Sequence, residues 1–333
     1  MKLKEVARRA GVSTATVSRT INNPAMVDPM TAKRVRKVLE ELRYYPNSQA
    51  RSLVLGRSRI LGLIVSDIAN PFFPELIKGF EDIAIHNGYE ILVSSTNYDS
   101  ARMALCVRRM LERKVEGVAI MTSEMDEQLI GQLADRNVPM VFLDVGPSGD
   151  GISHIVVDYA MGINEAMEHL VALGHRRIGF ISGPLGLKSA RVRRSAFLRA
   201  LSRYAIDEDK RLVEEGDHTV DGGLTAMARV LESDCTPTAV LASNDLTAIG
   251  MMRAVRRAGL SVPHDISIVG FDDIRLAEFT EPPLTTVRLP GTELAEHAFR
   301  MLRRDGDEGA KSDTRVETHL VIRESTCQSR GGL

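Results

Sequence analysis

From residue 60 onward, polar side chains recur just past apolar runs of strand length. Asp67 and Asn70 follow the run 60–65, Asp144 follows 140–143, Ser189 and Arg193 come after 178–181, Asn244 after 239–242, and Asp272 after 266–271. Carboxylates, amides, a hydroxyl and a guanidinium supply hydrogen-bond acceptors and donors together, the combination that a polyol satisfies. Phe73 and His218 offer flat faces for a sugar ring. The chemistry expected of this set is reversible capture of a small carbohydrate, with no cofactor. Covalent chemistry has little to work with. Asp272 and Asp273 resemble an acid–base pair, but neighbours on a strand point to opposite faces. The chain carries no P-loop, Rossmann glycine fingerprint, GxSxG elbow or HExxH motif, so an enzyme is not expected. Cys106, Cys235 and Cys327 stand far apart with no CxxC pair and no histidine at metal-ligand spacing, which predicts free thiols and no metal site.

A second constellation lies at the N-terminus. Residues 1–60 hold 13 Lys/Arg against 4 Asp/Glu, and the rest holds 30 against 40. A head of +9 on a body of −10 points to a phosphate-binding module joined to a part with another task. Within residues 3–23, Gly11 separates two short amphipathic stretches, and Ala7 and Val17 are small or branched, as a close helix crossing requires. A helix-turn-helix places its second helix in the major groove with the first residues toward base edges. On that geometry Thr14, Ala15 and Arg19 face bases, while Ser13, Thr16 and Ser18 donate to phosphates. Arg19 is the expected base reader, through guanine O6 and N7.

The elements that must hold these residues are legible from periodicity. In the head, residues 3–10 form one helix, a second begins after Ser13, and Asp28 with Pro29 opens a third carrying Val35, Val38, Leu39 and Leu42 on one face. Residues 47–55 form a short segment that Asn47 can cap. Beyond it, strands are expected at 60–65, 90–95, 117–121, 140–143, 154–157, 178–181, 239–242 and 266–271. Helices at 73–87, 159–173, 192–204 and 245–258 lie between them, with Asp245 capping the last. Such alternation predicts parallel sheets covered on both faces, and its length predicts two α/β subdomains. A charged stretch at 303–313 reads as a surface loop. The first residues lack the apolar core of a signal peptide, and no run reaches membrane-spanning length, so a cytoplasmic protein is expected.

The run Lys4-Glu5-Val6-Ala7-Arg8-Arg9-Ala10-Gly11-Val12-Ser13-Thr14-Ala15-Thr16-Val17-Ser18-Arg19 resembles the head of the lac repressor (LacI/GalR) family. Asn70-Pro71-Phe72-Phe73, Gly174-His175-Arg176, Ser243-Asn244-Asp245, Gly270-Phe271-Asp272-Asp273 and Pro283-Leu284-Thr285-Thr286-Val287 extend the resemblance, in order, through nearly the whole chain. It implies a three-helix head (1–46), a hinge helix and linker (47–59), and two doubly wound parallel-sheet subdomains of periplasmic-binding-protein type. These would comprise 60–157 with about 288–317, and 158–287 with about 318–333, residues 283–287 forming the last crossover. It also implies that Asn47, Ala50 and Leu53 meet DNA, Leu53 as a minor-groove wedge that unstacks a base step. Ser189, Arg193, Asn244 and Asp272 match effector-holding positions, and Asp144 matches a further cleft position. His218 stands where relatives often carry an aromatic residue. Leu187 occupies a position that can be polar in purine-responsive relatives, which disfavours a purine.

The activity implied is repression of transcription by a homodimer on near-palindromic double-stranded operator DNA, governed by the effector, with no membrane partner and with the protein at the nucleoid. The tail has no leucine heptads, so no zipper-built tetramer is expected. The alternative is a sugar-binding transport or sensor protein without a transcriptional role, which the head and the missing leader oppose.

Overall fold

The computed structural model describes residues 3–44, 57–122, 127–144, 146, 149–303 and 314–330. Two compact units emerge, the first ending at Ser58 and the second starting at Arg59. The segment containing Asn47, Ala50 and Leu53, and the charged stretch 304–313, lie outside the described residues.

The head consists of α1 (Leu3–Ala10), α2 (Thr14–Asn22) and α3 (Pro29–Glu41). Each boundary has a local cause. Gly11 takes φ +63° to end α1, a left-handed conformation that a side chain disfavours. Ser13 caps α2 by accepting from the Thr16 N–H, and Asp28 caps α3 by accepting from the Thr31 N–H, with Pro29 at the first position. Val6, Ala7, Ala10, Val17, Val35 and Val38 form the small core where the helices cross.

The body begins with β1 (Ile60–Val65), α4 (Phe72–His86), β2 (Glu90–Ser95), α5 (Ser100–Glu112), β3 (Gly117–Met121), α6 (Glu127–Ala134), β4 (Met140–Leu143) and β5 (Ile152–Asp158). It continues with α7 (Tyr159–Ala172), β6 (Ile178–Ser182), α8 (Lys188–Arg203), β7 (Val213–Glu215), α9 (Val220–Glu232), β8 (Ala239–Ala242), α10 (Asp245–Arg257), β9 (Ser267–Asp272) and β10 (Thr285–Arg288). Last come α11 (Gly291–Leu302), β11 (Thr314–Glu317) and β12 (His319–Val321). The strands make two six-stranded sheets, ordered β11-β5-β4-β3-β1-β2 and β12-β10-β9-β8-β6-β7. Pairing is parallel throughout, except that β12 runs antiparallel to β10.

Burial on both faces explains the continuous apolar runs. Leu61, Leu63 and Val65 pack with α4 and α11, while Ile64 on the opposite face packs with α5 and α6. Gly62 is needed there, since a Cβ would stand 2.6 Å from the Met110 sulfur.

Among the described residues the chain passes between the sheets three times, after β5, after β10 and between β11 and β12. Residues 283–287 are therefore not the last crossing: they lead into and largely form β10, a strand of the second sheet, and the chain crosses beyond Arg288. The last crossing is at Thr318, whose hydroxyl accepts from the Gly162 N–H (3.0 Å) and donates to the Asp158 carbonyl (2.7 Å). A Cβ at Gly162 would lie 2.2 Å from Val287 and 2.7 Å from Thr318, so glycine lets all three crossings pack against one another.

Candidate functional site

At the carboxyl ends of both sheets lies a cleft with about 600 Å³ of space free of protein atoms, open solvent at its mouth included. Asn70, Phe73 and Asp144 line it from the first sheet, and Ser189, Arg193, His218, Asn244 and Asp272 from the second. Ser66, Tyr98, Thr122, Leu143, Tyr159, Leu187 and Leu289 also line it. Asp67 does not belong to this lining: its carboxylate turns back to accept from the Ala69 N–H (2.8 Å). A turn carboxylate two positions from its own donor is satisfied locally.

Arg193, on the second turn of α8, is the buried cation of the cleft. Its guanidinium carbon lies 4.2 Å from the Phe271 ring centroid and 4.7 Å from that of Tyr159, and Nη1 donates to the Ser243 carbonyl. Nη1 stands 3.9 Å from Asp272 Oδ1, an ion-pair distance too long for a hydrogen bond. No described residue donates a hydrogen bond to the Asp272 carboxylate. Burial, opposed in part by Arg193, pushes its pKa up to about 7. Its backbone is left-handed at φ +107°, followed by Asp273 at +58°. As expected, the two carboxylates part company: Asp273 accepts from Arg288 Nε and Arg323 Nη2, both at 2.7 Å. An acceptor kept from its donors and held on strained backbone is a group arranged for something other than stability.

The other polar residues are partly engaged. Asp144 Oδ1 accepts from the Val157 N–H and Oδ2 from the Tyr159 hydroxyl, and burial raises its pKa. Asn244 Oδ1 accepts from the Thr247 N–H, and Nδ2 donates to the His218 carbonyl, leaving one amide hydrogen for a ligand. Asn244, not Asp245, thus caps α10. Asp245 is buried behind the cleft, accepting from Thr286 Oγ1 (2.5 Å) and the Ile274 N–H (2.8 Å), with its pKa pushed well above the usual range by burial and by Asp272. Burial, and then the Arg193 charge, lower His218 to about 3, so its imidazole is neutral and suited to packing against an uncharged ring. Asn70 Oδ1 accepts from the Phe72 N–H and so also shapes the start of α4. Phe73 is buried in an edge contact with Phe72. Ser189 sits half-buried in the first turn of α8.

Tyr159 is foremost among the cleft residues that the sequence reading passed over, which also include Ser66, Tyr98 and Thr122. The signal available was an aromatic residue bearing a polar group at a strand-to-helix junction, placed just after Asp158.

On the head, Ser13, Thr14, Ala15 and Arg19 are exposed along the outer side of α2, whereas Val17 and Thr20 face inward. Thr16 and Ser18 are half-buried. Thr16 shares a hydrogen bond with the Ser13 hydroxyl, and Ser18 accepts from Asn22. Arg19 is free of the Glu5–Arg8–Arg9 ion pairs on α1.

Among the described residues no cluster of His, Cys, Asp or Glu is arranged to hold a metal, and no helix is long and apolar enough to cross a membrane.

Residues 2–47 match the family model "Bacterial regulatory proteins, lacI family", and residues 167–326 match "Periplasmic binding protein-like domain". The chain is 36% identical over 303 residues to the ribose operon repressor of Escherichia coli K12, covering 90% of this chain and 91% of that protein. It is 35% identical over 302 residues to the HTH-type transcriptional repressor PurR of Vibrio atlanticus, covering 90% of each. The solved lac repressor dimer bound to operator and the anti-inducer ONPF superposes with a TM-score of 0.86 at 32% identity, covering 98% of this chain and 99% of that one. A LacI family regulator from Enterococcus faecium with bound ribose gives a TM-score of 0.72 at 30% identity, over 81% of this chain and 99% of that one.

Proposed function

The chain belongs to the lacI family of bacterial regulatory proteins, and from that premise we propose that it is a repressor whose grip on operator DNA is switched by a small neutral carbohydrate. The observation that carries the effector class is the pairing of Arg193 with an Asp272 carboxylate lacking any hydrogen-bond donor. A sugar hydroxyl accepts from the guanidinium and donates to the carboxylate at once. A fully ionised phosphate or carboxylate group has no hydrogen to give the ionised form of Asp272 and would meet its charge. Phe73 and the neutral His218 then border the apolar faces of the ring. Asp144, Ser189, Asn70 and Asn244 complete the polar lining.

On this reading the head works in pairs. A homodimer presents two α2 helices to the half-sites of a near-palindrome, with Arg19 reading guanine and Ser13, Thr16 and Ser18 setting the register on phosphates. Thr14 and Ala15 face neighbouring bases. Asn47, Ala50 and Leu53 meet DNA, Leu53 as the minor-groove wedge. Effector binding shifts the population between two arrangements of the subdomains about the three crossings, and so alters the spacing of the heads. The protein performs no catalysis, needs no cofactor and works at the nucleoid in the cytoplasm.

The test is selection of sites from random DNA by the full-length protein, with and without D-ribose, D-glucose, D-galactose, cellobiose and adenosine. A palindromic consensus whose recovery changes with one neutral sugar is expected. Failure of any consensus to emerge overturns the regulator reading, and a consensus indifferent to every sugar overturns the effector assignment.

A further inference from the structure

Arg193 and Asp144 enter the cleft from opposite sheets, and one side chain touches both. Tyr159 is the first residue of α7, immediately beyond the crossing that follows β5. It is 3% exposed. Its ring centroid lies 4.7 Å from the Arg193 guanidinium carbon and 5.9 Å from the Phe271 ring at 43°, so the two rings form one aromatic seat for the cation. Its hydroxyl donates to Asp144 Oδ2 at 2.6 Å, while Asp144 Oδ1 accepts from the Val157 N–H at 3.0 Å. Asp144 is itself in the left-handed region at φ +66°, so its direction into the cleft is held by those two bonds.

We infer that Tyr159 is a positioning residue of the cleft, seating the Arg193 guanidinium with its ring and aiming the Asp144 carboxylate with its hydroxyl from a point on the crossing itself. The inference rests on the reading of the cleft as an effector site. The physical gain is preorganisation. A donor from the second sheet and an acceptor from the first are set before a ligand arrives, so less of the binding free energy goes into ordering them. The phenol also joins Asp144 of the first subdomain to a helix of the second, so the same bond that aims the carboxylate resists their relative displacement. Tyr159 acts through its neighbours, and its effect must therefore depend on Asp144 being present.

The experiment is isothermal calorimetry on full-length protein with the five-compound panel above, followed with the tightest binder. Tyr159→Phe keeps the ring and removes the hydroxyl, Tyr159→Leu removes both, and each is made with and without Asp144→Ala. A hydrogen bond to a charged partner predicts about a tenfold loss of affinity in Tyr159→Phe. Tyr159→Leu should lose substantially more, because Arg193 loses one wall of its seat. In the Asp144→Ala background, Tyr159→Phe should cost less than about twofold, since a residue acting through a missing partner has nothing left to lose. If Tyr159→Leu fails to fold, the Tyr159→Phe and Asp144→Ala cycle decides alone. Wild-type affinity in Tyr159→Phe, or the same loss with and without Asp144, overturns the inference while leaving the effector reading intact. If wild type binds no member of the panel, the effector reading falls and this inference falls with it.

Discussion

Replacing Asp272 with Asn should stabilise the protein above neutral pH while abolishing effector capture. The carboxyl sits at 6% exposure, with no hydrogen-bond donor and Arg193 3.9 Å away. Burial lifts its pKa from the ordinary 3.8 to about 7. The folded protein thus holds this proton more tightly than the unfolded chain does. The stabilising contribution of the neutral acid is fully present below about pH 4 and is lost as pH rises through 7. A difference of about three pH units, at roughly 1.4 kcal/mol each, sets the lost stability near 4 kcal/mol as an upper figure. Asn mimics the neutral acid in shape and tolerates positive φ better than most residues. The variant should therefore unfold later at pH 8, by up to about 8 °C for a domain of this size, and the gain should vanish by pH 4. Thermal melts of both proteins at pH 4, 5, 6, 7 and 8 measure this, with calorimetric sugar titration alongside. A variant no more stable than wild type at pH 8, or a gain that does not shrink with acid, would refute the claim that the cleft keeps a costly carboxylate for its ligand.

Substitutions at three other positions probe separate parts. Arg19→Ala should weaken the selected operator more than scrambled DNA, by a difference of about 1–3 kcal/mol in fluorescence-anisotropy titrations at fixed salt; equal losses on both would reduce Arg19 to a phosphate contact. Thr318→Val keeps the shape but strips partners from the Gly162 N–H and the Asp158 carbonyl at the crossings. It should cost about 1–3 kcal/mol in urea unfolding, and Thr318→Ser should recover most of that loss. Gly183→Ala would put a methyl carbon 1.8 Å from His218 Nε2, forcing the buried ring to move. We expect roughly 1–3 kcal/mol of destabilisation together with weaker sugar binding, and an unaltered calorimetric affinity would argue against His218 as a ring-facing residue.

Much of the fold was legible because its signals are local. Ser13, Gly11 and Asp28-Pro29 bound the head helices where the sequence places them, and five of the body strands, from β1 to β8, run over the same residues as the apolar stretches that announce them. The strands left unread are β7, β10, β11 and β12, each only three or four residues long. Three of them, β7, β11 and β12, lie at sheet edges. β4 and β8 are as short but apolar throughout, whereas the unread strands carry Glu, Thr, Arg or His, so they form no apolar run and hold too few alternations to declare a period. α8 begins at Lys188, four residues before the expected start, which places Ser189 in its first turn.

The sequence by itself determined the helix-turn-helix, the two-sheet architecture and the family, because caps, turns and hydrophobic periods act over a few residues and motif order needs no folding. Only the tertiary structure decided how the cleft works. Asp67 and Asp144 both follow strands, yet one closes its own turn and the other is aimed by a residue 15 positions away. Asn244 and Asp245 are both competent caps. Asp245 is drawn inward by Thr286, 41 residues on, and Arg193 is set by a carbonyl 50 residues away. Such partners become neighbours only when strands distant in sequence lie side by side, so which polar groups stay unpaired for a ligand is a property of the folded chain.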